Sequence, residues 1–327
     1  MTGKTVPIDP GMLKFYKVLS AESPPESVNW PLPRQRKSWD EVCAKFRAPR
    51  PPGLVVEDLQ VPSANGPIAV RLYRPRGAEL LPGIIYLHGG GWVLGSIETH
   101  DDVCAEMADG AKVVVVAVDY RLAPENPHPA QLEDNLAVLE WMRRDGMQHG
   151  IDPIRIVAAG DSAGGQMSAS LAMWLRDHGR PQLRGTVLIY PVLGSDTDTE
   201  SYRRNADAPC LTRSDMVYYL DAVLGPKGGA PWHDPYAMPL HAEDYSGLPP
   251  TFITAAAHDP LFDDAAIYAG KLTQAGVAVM LREEPELTHS YMRARHVCTP
   301  AMAGFRAIVA AVRSLAHELK LPIGVNG

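Results

Sequence analysis

Short runs of consecutive apolar residues alternate with longer amphipathic stretches over most of the chain. Apolar runs rich in valine and isoleucine are typical of strands that are buried on both faces of a parallel sheet, and the amphipathic stretches have the spacing of helices. This alternation predicts a doubly wound α/β domain with helices on both faces of a mostly parallel sheet. The strands are expected at 83–87, 113–118, 154–159, 186–190, 251–257 and 277–282, and the helices at 101–108, 131–144, 163–178, 265–274 and 301–319.

Three parts of the chain depart from this rhythm. Residues 55–61 and 68–73 alternate apolar with polar positions across Asn65-Gly66, which predicts an antiparallel hairpin. Residues 1–50 are broken by prolines but are too apolar for a solvated tail, so we expect a helical flap with helical pieces at 12–19 and 39–46. Residues 194–245 are rich in turns and predict an insertion with one helix at 213–224. The chain therefore divides into an N-terminal segment (1–50), a first core part (51–193), the insertion (194–245) and a second core part (246–327).

Composition and charge exclude several classes of protein. The 327 residues carry a net charge of −7 without a basic block, which argues against nucleic-acid binding. No apolar run approaches the roughly 20 residues that cross a bilayer, and no signal peptide is recognisable, so we expect a cytoplasmic protein. The cysteines Cys43, Cys104, Cys210 and Cys298 lie far apart, and their spacing predicts neither a metal site nor a disulfide framework.

A serine flanked by glycines stands between the strand expected at 154–159 and the helix that follows it. The segment reads Gly160-Asp161-Ser162-Ala163-Gly164-Gly165. A serine at such a sharp strand-to-helix turn is the nucleophile elbow of serine hydrolases. The glycines are needed because a Cβ on either side would push the helix away from the strand. Ser162 is therefore the candidate nucleophile.

A glycine-rich loop follows the strand at 83–87 and reads His88-Gly89-Gly90-Gly91-Trp92. Backbone without side chains can bring N–H groups close to a developing oxyanion. We expect the oxyanion hole to consist of the N–H groups of Gly89, Gly90 and Ala163. A dinucleotide-binding loop is the competing interpretation, but no window matches Gly-x-Gly-x-x-Gly because Leu94 occupies the position of the last glycine.

Serine needs a general base, and the base needs an orienting carboxylate. Asp259 follows the strand at 251–257, and His289 follows the strand at 277–282 and its loop. The chain order Ser162, Asp259, His289 is that of α/β-hydrolases, in which each group lies at the carboxyl end of a strand. Asp259 could instead cap the next helix, with Asp263 or Asp264 as the acid, and the alternative bases are His258 and His296, the latter in an expected helix.

Together these motifs resemble the bacterial hormone-sensitive-lipase-like esterases, in the subgroup with a Gly-Asp-Ser-Ala-Gly elbow. The resemblance runs over about residues 55–320 and also rests on residues 119–125 (Asp-Tyr-Arg-Leu-Ala-Pro-Glu) and 259–261 (Asp-Pro-Leu). It implies an α/β-hydrolase fold, a cap made of the N-terminal segment and the insertion, and no cofactor or metal. It also implies homodimers formed through the edge strand, here near Val277 to Arg282. Gln166 and Ser290-Tyr291 depart from the usual Asn and Gly-Phe, which affects the shape of the pocket.

The function expected from the motifs and the resemblance is hydrolysis of a small ester with a short to medium acyl chain, through an acyl-enzyme on Ser162. An amidase or lactamase would use the same residues, and a non-catalytic ligand receptor could share the fold. Aromatic residues of the two irregular segments and the loops are candidates for the acyl pocket, although each could equally belong to the core. These candidates are Phe15, Tyr16, Trp92, Tyr190, Tyr202, Tyr218 and Tyr219.

Overall fold

A central twisted sheet organises the computed structural model, which describes residues 6–77 and 80–322. In this part of the chain, eight strands form one sheet in the order β1-β2-β4-β3-β5-β6-β7-β8. The hairpin β1–β2 is antiparallel and joins β4 in antiparallel fashion, whereas all other neighbours are parallel. The strands are β1 (Leu54–Val61), β2 (Ile68–Pro75), β3 (Leu81–Leu87), β4 (Val114–Val118), β5 (Ile151–Asp161), β6 (Gly185–Ile189), β7 (Thr251–His258) and β8 (Val279–Thr288).

Helices cover both faces of this sheet, so the expected α/β architecture is confirmed. Along β4, Val114, Val116 and Val118 belong to one apolar core cluster, and Val115 and Ala117 belong to the other. Every residue of the strand is therefore buried, which explains its continuous apolar run. The helices are α1 (Pro10–Glu22), α2 (Leu32–Phe46), α3 (Asp101–Ala111), α4 (Ala130–Arg144), α5 (Ala163–Asp177), α6 (Glu200–Arg204), α7 (Arg213–Leu224), α8 (Phe262–Gln274) and α9 (Thr299–Glu318).

The structure differs from the sequence-based expectations at the edge strand and in the irregular segments. Strand β8 continues to Thr288, because it pairs with β7 past a bulge between Ala256 and His258. Its polar positions hid this extension, since a strand at the edge of a sheet need not be apolar throughout. The helices α1 and α2 are longer than expected, and the short helix α6 was missed. His296 lies in a turn before α9 and not in a helix.

The strand order brings four loops to one edge of the sheet. Strand β3 lies between β4 and β5, so the chain reverses its direction of travel across the sheet at this point. Ligand sites in open α/β sheets form beyond the carboxyl ends of the strands at such a switch point. The loops after β3, β5, β7 and β8 all leave from this edge. None of the described helices combines the length and the apolar character that crossing a membrane requires.

Candidate active site

Ser162 lies at the turn between β5 and α5 in a conformation that few residues other than glycine adopt, with φ 57° and ψ −118°. The surrounding glycines make this turn possible. A Cβ on Gly164 would lie 1.8 Å from the carbonyl oxygen of Leu87, and one on Gly160 would lie 2.4 Å from the backbone of Gly164. Strand and helix thus approach too closely for any side chain. The serine is 7% exposed and lines a cavity at the sheet edge.

His289 joins Ser162 to Asp259. Its Nε2 lies 2.9 Å from the Ser162 Oγ, and its Nδ1 lies 2.6 Å from Oδ2 of Asp259. All three side chains are buried, with Asp259 1% exposed. The imidazole ring also packs edge-on against Tyr190, with 4.8 Å between the ring centroids. The structure therefore brings together the serine, the histidine and the aspartate that the sequence analysis selected from three distant loops.

The alternative acids and bases lie in other contacts. Asp263 accepts a hydrogen bond from the N–H of Ser201, and Asp264 accepts from the N–H groups of Leu193 and Gly194. His258 Nε2 lies 2.8 Å from the carbonyl oxygen of Val6. His296 Nε2 lies 2.8 Å from a carboxylate oxygen of Glu106. None of these four side chains contacts Ser162 or His289 through a hydrogen bond in the described part of the structure.

The insertion fixes the loop that carries Asp259, a role that the sequence did not reveal. Asn205 donates from Nδ2 to the carbonyl oxygen of Asp259 at 2.9 Å. The hydroxyl of Ser201 donates to the carbonyl oxygen of Pro260 at 2.6 Å. Within the loop, the N–H of Leu261 donates to Oδ1 of Asp259 at 2.9 Å. This leaves Oδ2 for His289. No motif marks Ser201 or Asn205, because their partners lie more than 50 residues away.

The contacts of the glycine loop change the set of N–H groups that is available for an oxyanion hole. The N–H of Gly89 donates to Oδ1 of Asp161 at 3.1 Å, so it is not available to a substrate oxygen. Within the described residues, no hydrogen bond involves the N–H groups of Gly90, Gly91 or Ala163. Ala163 is the first residue of α5, where backbone N–H groups have no partner within the helix. The assignment of Gly89 is therefore wrong, and Gly91 has the free N–H instead.

Asp161 is the centre of a buried polar network beneath the site. Its carboxylate accepts from the hydroxyl of Tyr86 at 2.8 Å and lies 3.2 Å from His100 Nε2. Burial alone raises the pKa of Asp161, but His100, the Arg293 guanidinium and Tyr86 outweigh it and hold the pKa well below its usual range. Asp161 is therefore a permanent anion that anchors the glycine loop.

His88 opens the glycine loop, where it supports the backbone without reaching the cavity. Its ring stacks on Tyr120, with 4.2 Å between centroids, and the Tyr120 hydroxyl donates to the His88 carbonyl oxygen at 2.7 Å. Burial, together with the neighbouring His100, lowers the pKa of His88 to about 3. The ring is therefore neutral at physiological pH and fills space beneath Gly89. Its place in the motif is explained by this packing.

The cavity above Ser162 encloses about 570 Å³, part of it open to solvent. Of the aromatic residues expected in the pocket, Trp92 and Tyr219 line this cavity. Most of the remaining lining is apolar or comes from the triad and the glycine loop. The full lining is Trp39, Gly89, Gly90, Gly91, Trp92, Leu94, Asp161, Ser162, Val192, Cys210, Leu211, Met216, Tyr219, His289, Ser290 and Arg293.

The other five aromatic candidates lie outside the cavity lining, so their assignment to the pocket is wrong. Tyr190 supports the His289 ring from behind. The other four have different surroundings. Phe15 packs edge-on against Phe46, Tyr16 is at the surface, Tyr202 is fully buried, and the hydroxyl of Tyr218 accepts from Gln35 Nε2 at 3.3 Å.

The departures from the usual motif residues have clear places in the structure. Gln166 accepts from the indole N–H of Trp92 at 2.9 Å and donates to the Ser170 hydroxyl at 2.6 Å, which holds the indole in the cavity wall. Ser290 has φ 61°, the left-handed region that favours glycine. The hydroxyl of Tyr291 donates to Thr254 at 3.0 Å. Ser290 lines the cavity and Gln166 supports Trp92 in its wall, while the contacts of His289 remain intact.

No metal-binding cluster of three or more His, Cys, Asp or Glu side chains occurs in residues 6–77 and 80–322. The site chemistry available on this part of the chain is that of a hydroxyl, an imidazole, a carboxylate and free backbone N–H groups. Such an arrangement can form and hydrolyse an acyl-enzyme.

The chain is similar over most of its length to proteins that are named as esterases. Residues 84–293 match a family model described as alpha/beta hydrolase fold. A carboxylesterase of Mycobacterium tuberculosis, NlhH, is 45% identical over 252 residues, which are 76% of this chain and 79% of the relative. An ethyl acetate hydrolase of Pseudomonas putida is 34% identical over 289 residues, 85% of this chain and 88% of the relative. The structure of an esterase from Pyrobaculum calidifontis superimposes with a TM-score of 0.86 at 33% identity, covering 95% of this chain and 99% of that one.

Proposed function

We infer that this chain, which belongs to the alpha/beta hydrolase family, is a carboxylic ester hydrolase with Ser162 as its nucleophile. The observation that carries this conclusion is the continuous hydrogen-bonded path from the Ser162 Oγ through both ring nitrogens of His289 to Asp259. The path lies in a cavity large enough for a small ester. Relatives with similarity over most of the chain are named carboxylesterase and ethyl acetate hydrolase.

The proposed reaction begins with attack of the Ser162 Oγ on the ester carbonyl while His289 Nε2 accepts the hydroxyl proton. Asp259 holds the Nδ1–H tautomer and stabilises the imidazolium that forms. The developing oxyanion is bound by the N–H groups of Gly90, Gly91 and Ala163, each of which contributes about 3 kcal/mol in comparable sites. His289 then donates its proton to the leaving alcohol. Water repeats the attack on the acyl-enzyme and releases the acid.

Short to medium acyl chains are the proposed substrates. The cavity is lined in part by Leu94, Val192, Leu211 and Met216, which offer apolar contact to a hydrocarbon chain. Burial of each methylene contributes about 0.8 kcal/mol, so affinity should rise with chain length until the cavity is filled. A series of p-nitrophenyl esters from acetyl to dodecanoyl measures where this limit lies. The proposal fails if the rate continues to rise up to the dodecanoyl ester.

Acyl-enzyme formation tests the assignment of Ser162. With p-nitrophenyl butyrate, the wild-type enzyme is expected to show a burst of p-nitrophenol equal to the enzyme concentration if deacylation is slower than acylation. Ser162→Ala removes the nucleophile and should lower kcat by about 10⁶-fold. The matched control is Ser168→Ala, since the hydroxyl of this buried serine of α5 binds only the Gly164 carbonyl oxygen among the described residues. Normal turnover by Ser162→Ala would refute the assignment.

We propose that the N-terminal segment and the insertion act together as a cap. Trp39 of α2, and Leu211, Met216 and Tyr219 of the insertion, line the cavity over Ser162. Gln35 and Tyr218 link the two segments directly. If the cap shapes the substrate site, a covalent serine inhibitor should slow limited proteolysis of the two cap segments. Equal cleavage rates with and without inhibitor would contradict this role.

A homodimer formed through β8 is also proposed. This strand is the last of the described sheet and pairs only with β7, so its outer edge retains backbone groups that a second copy could bind. Light scattering over a range of protein concentrations measures the mass. A species of 35.6 kDa at all concentrations would exclude the dimer.

We propose a cytoplasmic location. All four cysteines are free thiols in the structure, as expected for a protein that folds in a reducing compartment. Cell fractionation with an antibody against the chain tests the location. Recovery in the membrane or the culture medium would contradict it.

A further inference from the structure

Two side chains that line the catalytic cavity each carry a buried hydrogen-bond donor without a partner. The donors are Nε1 of Trp39 and Nη2 of Arg293, and neither makes a hydrogen bond among the described residues. A buried donor without an acceptor costs free energy, and native structures rarely retain one without a reason. These two come from different parts of the chain, α2 and the loop after β8. Their convergence on the cavity of Ser162 therefore points to a ligand.

Arg293 interacts electrostatically with the carboxylates of Asp102 and Asp161, but one of its nitrogens makes no hydrogen bond among the described residues. Its Nη1 donates to the carbonyl oxygen of Thr99, and that nitrogen lies 4.0 Å from Asp102. Asp102 itself forms a closer ion pair with Arg295. An arginine side chain stays protonated in proteins and has five N–H donors for oxygen acceptors. Arg293 is only 5% exposed and retains donor capacity that the protein does not use.

No described residue of the lining accepts a hydrogen bond from these donors. The carboxylate of the lining, Asp161, accepts from Tyr86 and Gly89. Most of the other lining side chains are hydrocarbon or aromatic. The acceptor must therefore arrive with the bound molecule. A guanidinium binds carboxylates most strongly among the acceptors of small organic acids, and an indole N–H adds a further donor.

We propose that the cavity selects esters that carry a second oxygen acceptor away from the scissile carbonyl, with Arg293 and Trp39 as its binding groups. This proposal rests on the ester hydrolysis proposed above and specifies its substrate class. A carboxylate is the strongest acceptor of this kind, and a ketone is a weaker one. Sites with buried polar groups discriminate against substrates that leave those groups unpaired. Purely hydrocarbon esters are then the poorer substrates.

Three methyl esters of similar length test the acyl side. Methyl pentanoate has no second acceptor, methyl levulinate has a ketone at the fourth carbon, and monomethyl succinate has a carboxylate there. We expect kcat/KM to rise at least about tenfold from the first to the third, which is the effect of one charge-assisted hydrogen bond. Propyl acetate and 3-acetoxypropanoate form the matching pair for the alcohol side. A preference for the oxygenated ester on either side supports the proposal.

The proposal would be overturned if the oxygenated esters had the same or a lower kcat/KM than the hydrocarbon esters on both the acyl and the alcohol side. Such a result would mean that water satisfies both donors. This result differs from a failure of the proposed function itself. In that case neither methyl pentanoate, propyl acetate nor p-nitrophenyl butyrate would be hydrolysed. The two failures are therefore distinguished within one set of measurements.

Two variants test whether Trp39 and Arg293 cause the preference for oxygenated esters. Trp39→Phe removes the indole N–H and keeps an aromatic ring, and Arg293→Lys keeps the charge but removes the guanidinium fork. Each should lower the ratio of kcat/KM between the preferred oxygenated ester and its hydrocarbon partner several-fold. The ratio compares two substrates on one enzyme, so a loss of folded protein cancels.

Arg143→Lys is the matched control for these variants. Arg143 lies on α4 outside the cavity and also has a buried nitrogen, Nη1, without a hydrogen bond. The substitution should leave the substrate ratio unchanged. If the ratio stays at the wild-type value in both Trp39→Phe and Arg293→Lys, these residues do not bind the acceptor and the proposal is overturned.

Discussion

The backbone N–H of Gly89 donates a hydrogen bond to the carboxylate of Asp161, the residue that immediately precedes Ser162, over a distance of 3.1 Å. The glycine loop after β3 is thereby tied to the nucleophile turn after β5. The two strands are neighbours in the sheet, which brings their ends together. The relative positions of the nucleophile and the free N–H groups of Gly90 and Gly91 therefore depend on one buried carboxylate.

Asp161→Asn tests this dependence. The amide has only one acceptor oxygen, and its nitrogen is a donor. The negative charge opposite Arg293 is also lost. We expect kcat to fall about 100-fold, as for other displacements of catalytic groups by about 1 Å, with a smaller change in KM. Steady-state kinetics on p-nitrophenyl butyrate measure the effect. Asp152→Asn, on the same strand but paired with Arg155, should retain the wild-type kcat. An unchanged kcat in Asp161→Asn would contradict the role.

Asp259→Asn should lower kcat about 10⁴-fold, because an amide can present its N–H to the ring and favour the wrong tautomer of His289. Single-turnover measurements separate this effect from product release. Asp263→Asn in the first turn of α8 is the control, since Asp263 binds the N–H of Ser201 and not the histidine. The assignment of the orienting acid would have to move to another residue if Asp263→Asn were the more damaging substitution.

Gly91→Ala is predicted to inactivate the enzyme through two separable effects. Gly91 has φ 60°, and an added Cβ would lie 2.4 Å from the ring of Tyr219. The collision would displace the loop that carries the proposed oxyanion donors, and kcat should fall by at least about 100-fold. Tyr219→Ala removes the ring and leaves only the cost of the left-handed conformation, about 1 kcal/mol.

The double variant Gly91→Ala/Tyr219→Ala is therefore expected to be more active than Gly91→Ala alone. A double-mutant cycle in kcat/KM measures the coupling between the two positions. Strictly additive losses would show that the ring does not restrict the loop.

Asp264 predicts a pH dependence of stability. Burial raises the pKa of this carboxyl to about 7, although the N–H groups of Leu193 and Gly194 oppose the rise. A group with a raised pKa in the folded state contributes stability that is fully present below about pH 4 and is lost as the pH rises through 7. The contribution is roughly a few kcal/mol. Asn at this position still accepts the backbone hydrogen bonds but cannot ionise.

Asp264→Asn should therefore be more stable relative to wild type at pH 8 than at pH 5. Urea unfolding at the two pH values measures the difference in the free energy of unfolding. Asp263→Asn, which removes the same formal charge at a half-buried position, is the control for net charge. A stability difference between Asp264→Asn and wild type that does not change with pH would contradict the prediction.

Much of the fold follows from local patterns in the sequence. Buried parallel strands require continuous apolar runs such as 114–118, and the helices between them require amphipathic spacing. The elbow was also recognisable, because a turn this sharp demands glycine at fixed positions around Ser162. The candidate serine, aspartate and histidine each follow a strand that the sequence predicts. The apolar runs, the helical spacing and the glycine placement depend on neighbours within a few residues, so sequence alone can reveal them.

The contacts between distant segments were decided by the tertiary structure. Only the folded chain shows that Asp161 occupies the N–H of Gly89, that Tyr190 lies behind His289, and that Trp39 and Arg293 meet at the cavity. The sequence by itself determined the strands, the helices and the reactive groups, since periodicity and glycine placement act locally. The tertiary structure decided which donors remain free and which rings line the cavity, because both depend on packing between residues up to about 250 positions apart. Local patterns in the sequence do not predict that packing.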